Sequence, residues 1–293
     1  MHTLENSQLK IAVNTIGAEL SNITSIKNGT EYMWDANPNV WGSFAPNLFP
    51  IIGALKNDTY IFEGNAYNLP KHGMVRNNKA IVLHEQTANS LTFKLSHSDD
   101  TLKIYPFKFE FFITYTLTNN RIELLHTVKN VDDKPMYFSV GGHPAFKCPV
   151  FENEAYEDYT LVFEHAETSK THLINTANGL ISANTKPIFK NTKLLPLTHD
   201  MFNDDALIFK DLQSKKVTLN SKTHGDILTV SYHDFNYLGI WAKPTGDYVC
   251  IEPWLGIADN DATNQDFTNK EGILKLAAGD TFKASYTIEI HKL

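Results

Sequence analysis

The sequence is poor in cysteine, in arginine, in helical periodicity and in long apolar runs. Two Cys in 293 residues exclude a disulfide framework. No apolar stretch approaches the roughly 20 residues needed to span a bilayer, so no membrane partner is expected. The start, MHTLENSQLK, lacks a basic segment followed by an apolar run, so no signal peptide is expected and a cytoplasmic location is. The formal net charge is −7, which argues against a nucleic-acid partner bound through phosphate neutralisation. No window shows a sustained i, i+3, i+4, i+7 apolar stripe. There is no GxSxG, no Walker loop and no GxGxxG, so covalent hydrolysis, P-loop chemistry and a dinucleotide cofactor find no support. Only two of the 26 basic residues are Arg, at Arg76 and Arg121.

What is present is aromatic and alternating. Phe, Tyr and Trp make up 12% of the chain, and flat rings pack well on a pleated surface. FKFEFFITYTL over Phe107 to Leu117 and RIELLHTV over Arg121 to Val128 read as a hairpin through Thr118-Asn119-Asn120. LTFKLS from Leu91, VTLN from Val217, ILTVSY from Ile227 and FKASYTIEI from Phe282 alternate in the same way. YIFEGNAYNL from Tyr60 reads as two strands around a Glu-Gly-Asn turn. Turn signals recur, as at Lys27-Asn28-Gly29, Asp132-Asp133 and Gly279-Asp280. Short helical turns fit near Pro196 to Phe202 and Asn260 to Thr268, and Glu152 to Asn191 is the most polar and loop-like stretch, interrupted by strand-like pieces such as Tyr159 to Phe163. No linker and no internal repeat interrupts the chain. The expectation is one all-β domain over residues 1–293, a large antiparallel assembly of about twenty short strands that splits into stacked layers.

Four segments break the alternation, and sites sit on such breaks. Asn47 to Lys56 reads NLFPIIGALK and follows Trp41-Gly42-Ser43-Phe44-Ala45-Pro46; alone, it is a buried loop passing under a sheet. Pro70 to Asn77 reads PKHGMVRN, with Gly73 free to take φ > 0 beside His72, and Arg76 close behind. Val140 to Pro149 reads VGGHPAFKCP, where Pro144 pushes His143 towards an extended conformation and so aims its ring. Tyr248 to Asp259 reads YVCIEPWLGIAD, where Glu252 interrupts an apolar strand and Trp254 offers a flat apolar face. Each has a plain structural reading as a turn, a cap or a core contact. Together they supply imidazole and carboxylate groups, which points to proton transfer. His72, His143 and Glu252 could make a His₂Glu metal set, but neither HxH nor HExxH spacing supports it, so neither metal nor cofactor is expected. Cys148 and Cys250 sit among apolar neighbours and read as buried, inert thiols.

These segments resemble the aldose 1-epimerase (galactose mutarotase-like) superfamily, and most closely its bacterial LacX-type branch. The matching pieces are Asn47 to Gly53, Lys71-His72-Gly73-Met74-Val75-Arg76, Gly141-Gly142-His143-Pro144-Ala145-Phe146, and Cys250-Ile251-Glu252-Pro253-Trp254-Leu255-Gly256. The resemblance implies a β-supersandwich with a sugar cleft and an isomerase that interconverts anomers without a cofactor. By motif, Glu252 would be the base at the C1 hydroxyl and His143 the acid at the ring oxygen. His72 would hydrogen-bond the sugar, and Asp205 would bind its hydroxyls. Trp254 and Phe146 would form cleft wall. The family's Arg in the loop after the first Gly is missing from Gly53-Ala54-Leu55-Lys56, and Lys56 stands as a loose substitute. Arg76 follows the His-Gly pair, as in the branch that includes hexose-6-phosphate epimerases. With Arg so scarce, the expected substrate is a free hexose. A hexose-6-phosphate epimerase and a non-catalytic carbohydrate-binding or sensing protein remain the alternatives. The expected partner is a small-molecule sugar and the expected state a monomer or weak homodimer.

Overall fold

The computed structural model describes residues 1–293. It contains 24 strands, one short α-helix and five 3-10 turns. The largest sheet has nine antiparallel strands, from Thr192–Pro196 at one edge to Val82–Gln86 at the other. Its centre is the hairpin read from sequence: Phe109–Thr118 pairs with Arg121–Asn130 across a two-residue loop, with Asn119 at φ +52°. Asn tolerates that left-handed conformation better than most residues. Along Phe109–Thr118, Phe109, Phe111, Ile113, Tyr115 and Leu117 are buried, while the intervening residues are half-buried. Each fully buried large side chain contributes about 1.5–3 kcal/mol from apolar area.

A second sheet has six strands. Its order is Leu207–Phe209, Tyr237–Trp241, Tyr248–Leu255, Val140–Gly142 and Asn47–Leu48, with Ala145–Lys147 also paired to Tyr248–Leu255. All eight residues of Tyr248–Leu255 are buried. Both of its faces are covered, so no polar–apolar alternation is required of it. A three-stranded sheet over His2–Glu5, Leu9–Val13 and Leu20–Ser25 and three two-stranded ribbons complete the strands. A continuous cluster of 70 buried apolar residues fills the space between the layers. No helix is long and apolar enough to cross a membrane.

The stretch Glu152 to Asn191 is richer in strands than expected: beyond the strand-like piece at Tyr159 to Phe163, which is part of Tyr159–Glu167, it holds Lys170–Asn175 and Leu180–Pro187. Polar outer faces and a register shift between His172 and Ile174 hide the last two. The α-helix Asp99–Ile104 is only six residues long, too short to show a stripe, and is held by a capping box between Ser98 and Thr101. The expected helical turns are 3-10 turns at His199–Phe202 and Phe267–Asn269.

Candidate active site

Tyr248–Leu255 places Cys250, Glu252 and Trp254 on one face, because strand side chains alternate. Two short strands lie beside it in one common register. Gly141 is opposite Trp254 and Ala145 is opposite Cys250. Continuing that register across the break at His143-Pro144 sets His143 opposite Glu252. The backbone stays tethered there, since Ile251 N–H donates to Pro144 O and His143 N–H donates to Pro46 O. As a result His143 Nε2 lies 3.2 Å from Glu252 Oε2, with both side chains buried. The glycine before His143 has a packing reason: a Cβ on Gly142 would lie 2.5 Å from the Tyr286 hydroxyl.

The imidazole of His143 is clamped by aromatic rings. Trp41 stacks on it at 5.0 Å and 25°, and Trp241 meets it edge-on at 5.8 Å. His72 stands edge-on at 5.6 Å. His72 occupies the left-handed region at φ +69°, a conformation that costs a non-glycine residue about 1–3 kcal/mol. Its N–H donates to Gly53 O, and Gly53 N–H donates back to His72 Nδ1 at 3.2 Å. Because Nδ1 accepts, the neutral ring carries its proton on Nε2, the remaining ring nitrogen. Gly73 follows at φ +78°, and a Cβ there would lie 2.3 Å from Phe49 O. Its freedom therefore serves packing against backbone and not approach to a ligand.

These groups open onto a cavity of about 360 Å³, whose wall includes Trp41, Lys71, Asp205, Trp241 and Trp254. The volume lies within the ordinary range for small-molecule sites. Trp254 is 5% exposed, and its indole lies close enough to Glu252 to lower that carboxyl against the effect of burial. Asp205 sits at φ +74° on the rim, where one carboxylate oxygen accepts the Ala206 N–H. Arg76 lines the cavity and donates to Ser43 Oγ at 3.2 Å, while its Nε is buried without a partner. Glu19, which accepts the Phe44 and Ala45 N–H groups, is near enough to Arg76 to feel its charge.

Burial dominates the electrostatics. It holds His143 down to about 3, with Arg76 pushing the same way. It holds His72 well below the usual histidine range, with His143 and Lys71 adding to the effect. It pushes Glu252 well above the usual carboxylate range; Lys71 opposes this and Asp205 adds to it. Both shifts favour the neutral forms, imidazole and carboxylic acid, at the floor of the cleft.

Six of the residues singled out from sequence line this one cavity: His72, Arg76, His143, Asp205, Glu252 and Trp254. Two do not. Phe146 is fully buried in the apolar core, opposite Val249 in the neighbouring strand. It follows Ala145 on the strand, so its side chain falls on the other face from the site. Lys56 turns away, its ammonium donating to Asp261 O at 3.1 Å. A lysine that does line the cavity is Lys71, part of the Lys-His-Gly motif but without a role assigned from sequence. Trp41 and Trp241 were missed as well. Trp41 adjoined a Gly/Pro-marked loop, which was a signal; Trp241 ends an ordinary strand and gave none. The donor atoms that lie within 4.8 Å of one another belong to His143, Cys250 and Glu252, with Cys250 in the place of His72.

The comparisons with known proteins agree with this geometry. The family model for aldose 1-epimerase matches residues 1–266. The plasmid and chromosomal LacX proteins of Lactococcus lactis subsp. lactis are each 34% identical over 295 residues, covering 98% of both chains. A galactose mutarotase related enzyme from Lactobacillus acidophilus superposes with a TM-score of 0.94 at 37% identity, covering 99% of this chain and 97% of that one. A galactose mutarotase-like protein from Lactobacillus casei ATCC 334 superposes with a TM-score of 0.92 at 29% identity, covering 99% and 100%. With a family match over most of its length and the family's motifs gathered around one cleft, the chain belongs to the aldose 1-epimerase family.

Proposed function

We propose that this protein interconverts the α and β anomers of a free hexose by acid–base ring opening. The observation that carries the reading is the approach of His143 to Glu252 at the floor of an indole-walled cleft. Glu252 as carboxylate takes the C1 hydroxyl proton, while protonated His143 gives a proton to the ring oxygen. The C1–O bond of the ring breaks, an aldehyde forms, and the C1–C2 bond rotates. Reclosure from the other face reverses both transfers. His72 Nε2–H is a neutral donor suited to steadying an oxygen that gains charge. Family membership supports an epimerase in general terms, and the 70-residue core supports reading residues 1–293 as one domain.

The proton count supports these roles. A charged pair, imidazolium with carboxylate, holds as many protons as a neutral pair of imidazole and carboxylic acid. Ring opening converts the first into the second through the sugar, and closing reverses it. Burial favours the neutral pair. A bound sugar favours the charged one, because its hydroxyl donates to the carboxylate and its ring oxygen accepts from the imidazolium. Catalysis works best when the two are near balance, and titration then belongs to the pair as a unit. Polarimetry of fresh α-glucose and α-galactose tests the reading: if neither sugar equilibrates faster than in buffer, the assignment fails.

One observation favours a second reading. Lys71 and Arg76 share the cavity, and Arg76 Nε lacks a partner. Two cations suit an anionic substituent such as the phosphate of a hexose 6-phosphate. Comparing glucose with glucose 6-phosphate separates the readings. A phosphate preference that disappears in Arg76→Ala supports the second; equal rates on both sugars, or a free-sugar preference, remove it.

A further inference from the structure

Cys250, behind the cavity wall beside Glu252, is a thiol that the acid–base reaction does not use. It is fully buried, free of any disulfide, and two residues from Glu252 on the same face of Tyr248–Leu255. Its thiol, the His143 imidazole and the Glu252 carboxylate bring their donor atoms within 4.8 Å of one another. Two buried polar atoms in this group have no hydrogen-bond partner: Glu252 Oε2 and His143 Nδ1. A carboxylate oxygen, an imidazole nitrogen and a thiol that converge in a buried place make a mixed donor set of the kind that holds a cation. The spacing suits one. Donors held about 2.0–2.3 Å from a tetrahedral Zn²⁺ lie about 3.3–3.8 Å from each other. His143 Nε2 and Glu252 Oε2 are already at 3.2 Å.

We propose that His143, Cys250 and Glu252 form a binding site for a borderline-soft divalent cation, with Zn²⁺ the best match, and that its occupation blocks the sugar reaction. Nitrogen, sulfur and oxygen donors together suit zinc and exclude magnesium or calcium, which prefer all-oxygen sets. The ion reaches the site through the cleft, since His143 and Glu252 both line it. A water from the cavity completes the coordination. Binding displaces the thiol proton and any proton on the carboxyl, so protons are released on uptake. With both exchanging groups tied to the ion, neither can carry a proton to or from a sugar. The blocking half of this proposal rests on the acid–base reading above; the binding half does not.

The test uses the full-length protein stripped with chelator. Zn²⁺ is titrated calorimetrically, and Co²⁺ is titrated while thiolate-to-cobalt charge-transfer absorption is followed. The expected result is saturable uptake with the charge-transfer band present. In Cys250→Ser and Cys250→Ala, affinity falls by more than about tenfold, the smaller loss typical of removing only an outer partner of a metal, and the band disappears. Cys148→Ser, which changes the other buried thiol, leaves both unchanged. Zn²⁺ slows wild-type mutarotation competitively with sugar, chelator reverses this, and whatever turnover Cys250→Ser keeps is no longer sensitive. Absence of saturable uptake, or unchanged affinity in both Cys250 variants, overturns the site. A protein that binds zinc in this pattern but mutarotates no sugar supports the site and sinks the acid–base reading. An active protein that takes up no zinc does the reverse.

Discussion

Two strands of similar length illustrate opposite ways of using β structure. Phe109–Thr118 buries alternate residues and leaves the others partly in solvent. Tyr248–Leu255 buries every residue and includes a carboxylate, a proline and a thiol. The first is written for stability, and its sequence can be read as a strand on sight. The second is written for a site, and its lost alternation marks it. A polar group is costly in that second setting unless its cost is tied to function.

The sharpest test of this contrast is Glu252→Gln. It is expected to lower mutarotation by about 10²–10⁴-fold, the usual worth of a positioned acid or base. Thermal stability should hold or rise, because burial already disfavours the charged carboxylate. A fall in melting temperature with little loss of rate would place Glu252 in the structural class instead. If binding of sugar by calorimetry survives His143→Ala and the wild type shows no turnover, the protein is a binder. Next in size is Ile113→Ala on the alternating strand. Ile113 is 1% exposed, and its truncation should cost about 2–5 kcal/mol in urea unfolding, with the folded fraction keeping its rate.

A third test concerns His126, the one imidazole among the inward side chains of the large sheet. Its Nε2–H donates to Asn47 Oδ1 at 3.0 Å, while Nδ1 is buried without a partner. Burial lowers it from 6.5 to about 3. The unfolded chain therefore binds a proton below pH 6.5 that the folded protein refuses until about pH 3. The contribution is full above pH 6.5 and is lost as pH falls through that window, by up to about 1.4 kcal/mol per pH unit. Urea titrations at several pH values should show a shallower acid loss for His126→Gln than for wild type; parallel curves would refute the assignment. The smallest effect belongs to the outer face. Thr114→Ser, at a half-buried position on the alternating strand, should shift stability by no more than about 0.5 kcal/mol.

The same contrast explains what the sequence revealed. Alternation located Phe109–Thr118 and its partner almost to the residue, because one wet face and one dry face leave a period-2 record. His143, Glu252, His72 and Arg76 were legible because Gly and Pro flagged breaks and because the motifs resemble a family. Lys71 was harder, since one Lys among many carries no positional signal until the loop is folded. Phe146 and Lys56 were misplaced for a shared reason: nearness along the chain is a poor guide to which face a side chain takes. Phe146 lies just three residues from His143 yet falls on the other side of the sheet. Lys170–Asn175 and Leu180–Pro187 are hard to read because they form a single ribbon with few buried positions and so leave no period-2 record.

The register that sets His143 opposite Glu252 has a consequence for how such a protein can change. The gap between acid and base is an interstrand spacing, and a sheet cannot vary that spacing by degrees. A one-residue insertion anywhere between Gly142 and Ala145 would turn the imidazole to the wrong face outright. The rim is different: Lys71, Arg76 and Asp205 stand on loops that can lengthen or shorten while the sheet stays fixed. Under the proposed reaction the acid–base spacing is therefore ratcheted while the rim is not, so loop changes would alter what the cleft admits and leave the His143–Glu252 pair in place.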